Sequence, residues 1–368
     1  MKKFMLFATA VGLTLTSCVN DEETTMMGSR SVIAFDAPAM KTSRANVMGE
    51  ITGVKYPQGE TFRVFSKIYK GNYAGWKTST EIKDYFDEKG DSAKHVDGTY
   101  WSTETVYYWP DAGYNLAFAA YSPATLGAAS QATTIIRTDA GIQIDDFVSE
   151  PESDTQYDLM YSQTVFDRNK SNNASSAVSL KFAHALSSIV FSSQKSDAAV
   201  GYKIIDLEVT GTFVTGGDFS QGIVGSTSAE NVYTETETPV WSDPKTSTVN
   251  YEPTFTAFEV PAATPEIFTQ GTSAILAIPQ GVPTDAKVIV TYEKKTNGTT
   301  TTHTAEIPLQ SFKKATAEGT AVAEGGVNAW ERGKRYVYRI AFGENQRIYF
   351  EPSVTDWIQE PTLIYTIK

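Results

Sequence analysis

Apolar and polar positions alternate with a period of two through most of this chain. The alternating runs are short, rich in β-branched and aromatic residues, and bounded by Gly, Pro, Asn and Asp. SVIAFDA (31–37) sets Ile33 and Phe35 on one face, and TFRVFSKIY (61–69) alternates Phe62, Val64 and Ser66 against Arg63, Phe65 and Lys67. YNLAFAAY (114–121) places Tyr114, Leu116, Phe118 and Ala120 on one side and follows VYYWP through the turn-like Asp111-Ala112-Gly113, which predicts a hairpin. Further strands are predicted over 178–192, 202–214, 254–260, 274–279, 286–294, 301–309, 334–342, 347–354 and 362–368. One short helix is predicted in KTSTEIKDYFDEKG, where Thr78 and Glu81 make a capping box, Ile82, Tyr85 and Phe86 an apolar stripe, and Lys89-Gly90 the end. Strand after strand with so little helix predicts an all-β fold built of sandwiches. The polar break DRNKSNNASSA (167–177) divides it into expected domains at 31–176 and 177–368.

The amino end departs from this pattern. Met1 to Lys3 is basic, Phe4 to Leu15 is mostly apolar, and Leu15-Thr16-Ser17-Cys18 leads small residues into the only cysteine of the 368 residues. The apolar run falls short of the roughly 20 residues of a membrane span. It reads as a lipoprotein signal peptide, residues 1–17, cleaved between Ser17 and Cys18, with acyl chains attached to Cys18. The expected location is the outer membrane and cell surface. CVNDEETTMMGSR (18–30) then forms a tether, whose Asp21, Glu22 and Glu23 serve either as a surface-export cue or as a merely solvated stretch. Loss of Lys2 and Lys3 takes the formal net charge from -12 to -14, which makes nucleic acid and anionic lipid poor partners. With Cys18 consumed by lipid no disulfide framework exists, so stability must come from packing, for which 41% hydrophobic and 12% aromatic residues suffice.

Candidate chemistry is sparse, and no catalytic, cofactor or metal residue is assigned. His95, His184 and His303 lack metal-ligand spacing, and His184 sits inside a strand pattern as a structural histidine. No Gly-x-Ser-x-Gly or phosphate loop occurs, and Asp145-Asp146 and the acids of 84–91 read as solvated loops rather than calcium ligands. Carboxylate pairs for glycoside hydrolysis have no visible spacing to support them. Trp101, Tyr107, Tyr108, Trp109 and Tyr121 are weighed as a sugar-stacking platform and assigned instead to core and rim packing.

The signal and lipobox, the early strand ending in Thr42-Ser43-Arg44-Ala45, YYWPDAGYNLAFAAYSP (107–123), KFAHALSSIVF (181–191), AILAIPQG (274–281), and the Trp330 to Tyr338 stretch leading to VTDW (354–357) occur in one order. Together, from about Ser31 to Trp357, they resemble the fimbrillin-like proteins, the lipoprotein-derived subunits of type V pili. The resemblance implies two tandem β-sandwich domains of transthyretin-like topology. It also implies export as a lipoprotein and protease-triggered donor-strand exchange with other pilus subunits. A cut after Arg44, before Ala45, would remove the strand carrying Val32, Ile33 and Phe35; a cut after the alternative Arg30 would leave it in place. TLIYTIK (362–368), with Leu363, Tyr365 and Ile367 on one face, is the candidate donor or else the domain's own last strand. The alternative function is a monomeric surface lipoprotein that binds glycan or host protein, marked by exposed aromatics around Trp76, Trp101 and Trp241. Asp91-Ser92-Ala93 has the form of an O-glycosylation site.

Overall fold

The computed structural model describes residues 31–37, 56–71, 82–96, 100–126, 132, 134–138, 141–173, 177–227, 233–262, 264–314, 327–343, 358–359 and 363–367. The architecture is nearly all β. A first sheet of ten strands is built around Phe62–Lys70, which pairs antiparallel with Tyr114–Ser122 over eight residues, from Arg63 opposite Tyr121 to Lys70 opposite Tyr114. From there the sheet runs through Asp91–His95, Trp101–Thr103 and Phe35–Asp36 to Val178–Ser179 at one end, and through Met160–Ser162 to Phe182–His184 at the other. Its two ends meet. Tyr56 stacks on Phe182 at 5.0 Å and meets Trp101 edge-on at 5.8 Å, so a long twisted sheet curls over a single aromatic core.

The second module is a sandwich. One sheet centres on Ser187–Lys195 and Lys334–Phe342, which run parallel in register from Ser188 opposite Arg335 to Lys195 opposite Phe342. The other centres on the 20-residue strand Gly201–Ser220. Ile189, Phe191, Tyr338 and Ile340 from the first and Ile204, Leu207, Val209, Val288 and Val290 from the second fill the space between them, with Trp330 stacked on Phe213 at 5.4 Å. Lys287–Thr296 and Thr299–Pro308 form a hairpin through Asn297-Gly298. Both turn residues have positive φ, 50° and 80°, the conformation that a two-residue turn matched to strand twist requires.

The sheets do not part at 176/177. Val178–Ser179 and Phe182–His184 complete the first sheet, and the hairpin Thr134–Thr138 with Gly141–Val148 pairs onto Gly201–Ser220 of the second module. Residues 167–173 instead carry the end of the strand Val165–Arg168, which pairs with Tyr114–Ser122, and a one-turn helix, Lys170–Asn173, where the Asn169 carboxamide oxygen accepts from the Ser171 and Asn172 amides. Polar composition alone does not separate such a segment from a linker. Between the modules lies a shared apolar layer: Phe65, Ala119 and Tyr121 from the back of the first sheet, Ile142, Ile144 and Phe147 from the hairpin, Phe219, Leu276 and Ile278 from the second module. Burial on both faces explains why Val64 and Phe65, or Phe118 and Ala119, are both inaccessible despite alternation.

Gln221 stitches this layer. Its amide donates to the Ile142 carbonyl at 2.9 Å, its Oε1 accepts from the Ile142 amide at 3.0 Å, and its Nε2 donates to the Ser162 carbonyl at 2.9 Å. Trp241 Nε1 donates to the Ala185 carbonyl at 3.0 Å, and Arg332 donates to the Tyr161 hydroxyl at 2.6 Å.

Other expectations change. Within 82–90 the chain is not helical: Lys83–Asp84 pairs with Lys67 and Ile68, and Gly90 has φ 73° after a turn. The Tyr85 amide donates to the Ser66 carbonyl at 2.8 Å, so the backbone finds its partner in the strand Phe62–Lys70 while Phe86 enters the core. Thr78 and Glu81 lie outside the described residues, as does the strand expected over 347–354. The single strand expected over 178–192 is three pieces, Val178–Ser179, Phe182–His184 and Ser187–Lys195. Asp145 and Asp146 lie in a strand, with Asp146 at φ 53° and its amide donating to Asp218 at 2.8 Å. Val240–Tyr251, mostly exposed and polar, is a strand that no apolar alternation announces.

Because one apolar layer joins the modules, scanning calorimetry should record one unfolding transition, and Gln221→Ala should lower stability by about 1–3 kcal/mol through the stranded Ile142 and Ser162 groups; two resolved transitions would contradict the shared layer. Glu60 is buried, and desolvation raises its carboxyl pKa above the ordinary value. A raised folded-state value means that the folded chain holds this proton more tightly, so stability declines as pH rises from the unfolded value of about 4.3 through the folded one. Glu60→Gln should therefore raise Tm at pH 7, with the gain disappearing near pH 4.

Candidate functional site

Residues 31–37 form an interior strand of the first sheet. Phe35–Asp36 lies between Trp101–Thr103, antiparallel with Phe35 opposite Trp101, and Val178–Ser179, parallel with Phe35 opposite Val178. Backbone bonds extend beyond the two-residue ladder. The Ile33 amide donates to the Tyr107 carbonyl at 2.9 Å and the Trp109 amide to the Ser31 carbonyl at 3.0 Å. On the other side the Val178 and Leu180 amides donate to the Ala34 and Asp36 carbonyls, both at 2.8 Å, and the Tyr56 amide to the Ala37 carbonyl at 3.1 Å.

Alternation decides which side chains are held. Ile33, Phe35 and Ala37 point inward and are at most 1% exposed. Phe35 meets Phe118 edge-on at 5.4 Å, and Phe62 and Phe86 at 6.3 Å. Val32, grouped with them on sequence grounds, is instead 48% exposed and bridges to Tyr108, because odd-numbered positions face the core. Ala37 and Tyr56 are the partners that sequence reasoning missed; continuing the period of two from Phe35 would have found Ala37.

Burial of Ile33 and Phe35 represents about 3–6 kcal/mol at 1.5–3 kcal/mol per large side chain, against a typical domain stability of about 5–15 kcal/mol. Taking the strand out would open a slot one strand wide with unpaired backbone groups along both walls.

The candidate donor segment occupies a comparable place in the second module. Leu363–Ile367 runs parallel to Tyr338–Phe342, from Leu363 opposite Tyr338 to Ile367 opposite Phe342, and antiparallel to Lys313–Lys314. Leu363, Tyr365 and Ile367 alternate along it. Ser17, Cys18, Arg30, Arg44 and Ala45 lie outside the described residues.

The remaining candidates separate into core and surface. His184 Nδ1 lies 2.9 Å from Asp158 Oδ1, both groups buried, while His95 packs edge-on to Trp101 at 5.0 Å and His303 stacks on Tyr292 at 5.4 Å on an exposed strand. They are not brought together. Among the described residues no group of three His, Cys, Asp or Glu is placed to hold a metal, and no helix is long and apolar enough to cross a membrane. Trp101, Trp109 and Tyr121 are core residues; Trp241 is half-buried against Phe147 and Phe219, and Trp76 lies outside the described residues. Asp91-Ser92-Ala93 opens the strand Asp91–His95, with Ala93 fully buried.

Tyr107 and Tyr108 belong to a different feature. With Ile68, Tyr85, Val106, Trp109, Pro110, Asp111 and Tyr114 they line an open cleft of about 460 Å³ on the outside of the first module. The Tyr85 hydroxyl donates to the Tyr108 carbonyl, and Tyr107 stacks on Phe86 at 3.9 Å. Burial, with Asp91 beside it, raises the pKa of the Tyr107 hydroxyl and keeps it a donor.

A family model described as fimbrillin-like matches residues 67–357. No curated protein matches the sequence. Among solved structures, a fimbrial protein from Bacteroides vulgatus is similar with a TM-score of 0.55 at 15% identity, over 90% of this chain and 100% of that one, which shows a common fold. A proposed cell adhesion protein from Bacteroides ovatus gives 0.42 at 14% identity over 85% and 92% of the two chains, and one from Bacteroides uniformis 0.42 at 12% over 86% and 93%.

The packing of 31–37 sets a stability contrast. Phe35→Ala should cost about 3–5 kcal/mol, while Val32→Ala, on the strand's outward face one position before Ile33, should stay within about 0.5 kcal/mol. Urea unfolding of the two variants measures the difference; equal effects would mean that the strand is not seated as described.

Proposed function

The chain belongs to the fimbrillin-like family, and from that premise we propose that it is a structural and adhesive subunit of a cell-surface pilus. In this reading it is exported as a lipoprotein acylated on Cys18 and joined to its neighbours by strand exchange after cleavage between Arg44 and Ala45. The observation that carries the reading is the seat of residues 31–37: an interior strand, bonded on both sides, that belongs to the amino-terminal side of Arg44. Cleavage after Arg44 severs its covalent link to the rest of the sheet; cleavage after Arg30 does not.

The chemistry of replacement is specific. The vacated slot asks for a strand with one parallel and one antiparallel neighbour and apolar side chains at i, i+2 and i+4, as Ile33, Phe35 and Ala37 supply. Leu363, Tyr365 and Ile367 have that spacing, in a segment that already pairs in both senses. Strand addition would restore the ladder and the buried area together. Partners are therefore other subunits, and the location is the cell surface, through the outer membrane before processing.

A second reading, a monomeric surface lipoprotein that binds glycan or host protein, draws support from the aromatic cleft. It draws none from Trp101 or Trp241, which are not presented at the surface as that reading expects.

Amino-terminal sequencing of fibres and the behaviour of Arg44→Ala separate the two. The pilus reading expects Ala45 as the first residue of polymerised subunits and an R44A chain that stays monomeric after protease treatment. Fibres whose subunits retain residues 31–37 would overturn strand exchange.

A further inference from the structure

The exposed large apolar side chains are not scattered evenly over the described surface. Val106, Tyr108 and Tyr114 line the cleft, with Val106 57% and Tyr108 and Tyr114 each 37% exposed, and the exposed Val32 bridges to Tyr108 through the backbone. We propose that the cleft lined by Ile68, Tyr85, Tyr107, Tyr108, Asp111 and Tyr114 binds a neutral saccharide. This deepens the adhesive part of the proposed function and rests on that reading for its role, while the binding itself requires no strand exchange.

Size, chemistry and rigidity converge on that ligand class. A volume of about 460 Å³ falls within the roughly 300–1,000 Å³ of small-ligand sites. Tyrosine rings present flat apolar faces to the C–H faces of a pyranose, with hydroxyls at their tips for its polar edge. Asp111 adds a carboxylate that accepts from sugar hydroxyls. Several parts are preset: Tyr107 is stacked on Phe86, Tyr85 is tied to the Tyr108 carbonyl, and Lys70 lies 5.5 Å from the centre of the Tyr114 ring.

Other ligand classes fit less well. Asp111 in the lining and a net charge of -12 disfavour anionic ligands, and Lys70 beside Tyr114 disfavours cations. An added peptide strand needs free backbone groups, yet the Tyr107 carbonyl and the Trp109 amide are already bonded to Ile33 and Ser31. Those same bonds brace the wall of the cleft against the strand at 31–33.

The unprocessed full chain should be applied to an array of neutral, sulfated and sialylated glycans, and the neutral hits titrated. At least one neutral saccharide should bind, with affinity falling about tenfold or more in Tyr108→Ala and Tyr114→Ala and less in Asp111→Asn. Both tyrosines are exposed, so Tm should hold; should Y108A unfold, Y114A and D111N still decide. Absence of any neutral hit, retention of only charged glycans, or unchanged affinity in folded Y114A and D111N would overturn the site. Because binding is read on unprocessed monomer, its failure leaves Ala45 at the fibre amino terminus as an independent result.

Discussion

The seating of Phe35 between two neighbouring strands is the contact on which the rest depends. Its ring is met edge-on by Phe62, Phe86 and Phe118, from three different segments, while its backbone faces Trp101 on one side and Val178 on the other. A strand at the edge of a sheet frays without disturbing the remainder. A strand inside the sheet does not: its removal orphans the outer strand Val178–Ser179 and uncovers a core that extends to Phe182 through Tyr56 and Phe62. The module is therefore closed only while something occupies that position.

The second constraint is the shared layer behind the first sheet. Gly141–Val148 leaves the first module's chain and enters the second module's sheet, and Gln221 bonds to both. Such an interlock transmits strain rather than absorbing it in a flexible linker. On the proposed reading it suits a fibre, because a slot in the first module and the strand Leu363–Ile367 in the second are held on one stiff body. With a single cysteine no disulfide contributes, and buried aromatics supply the rigidity.

Much of this was legible as alternation. The strands Phe62–Lys70, Tyr114–Ser122 and Lys334–Phe342 fall close to where the period of two places them, and the pairing of Ile33 with Phe35 on one face is read directly from SVIAFDA. Illegible parts have identifiable causes. Val240–Tyr251 is half of a solvated ladder, so its side chains carry no apolar rhythm. Ile82, Tyr85 and Phe86 fit a helical stripe, but the Ser66 carbonyl of the strand Phe62–Lys70 offered the backbone a better partner. The boundary at 176/177 failed because composition reports exposure, whereas module membership is a matter of long-range pairing. The cleft was hidden for the same reason: Tyr85, Tyr107 and Tyr114 come from segments whose adjacency only the folded sheet creates.

Strand and cleft share one stretch of backbone. Residues 107–109 bond to Ser31 and Ile33 on one side and present Tyr107 and Tyr108 to the cleft on the other. On the proposed reading, whatever occupies the strand position would therefore brace the cleft wall, since amides and carbonyls that lose their partners turn toward water. An adhesive surface so placed would be formed in a subunit whose slot is filled, by its own strand or by another, and deformed in one whose slot stands open. On the proposed reading, ligand binding and slot occupancy would then be thermodynamically coupled, each favouring the other by the same factor. The coupling needs no moving domain, only the three residues that serve both structures.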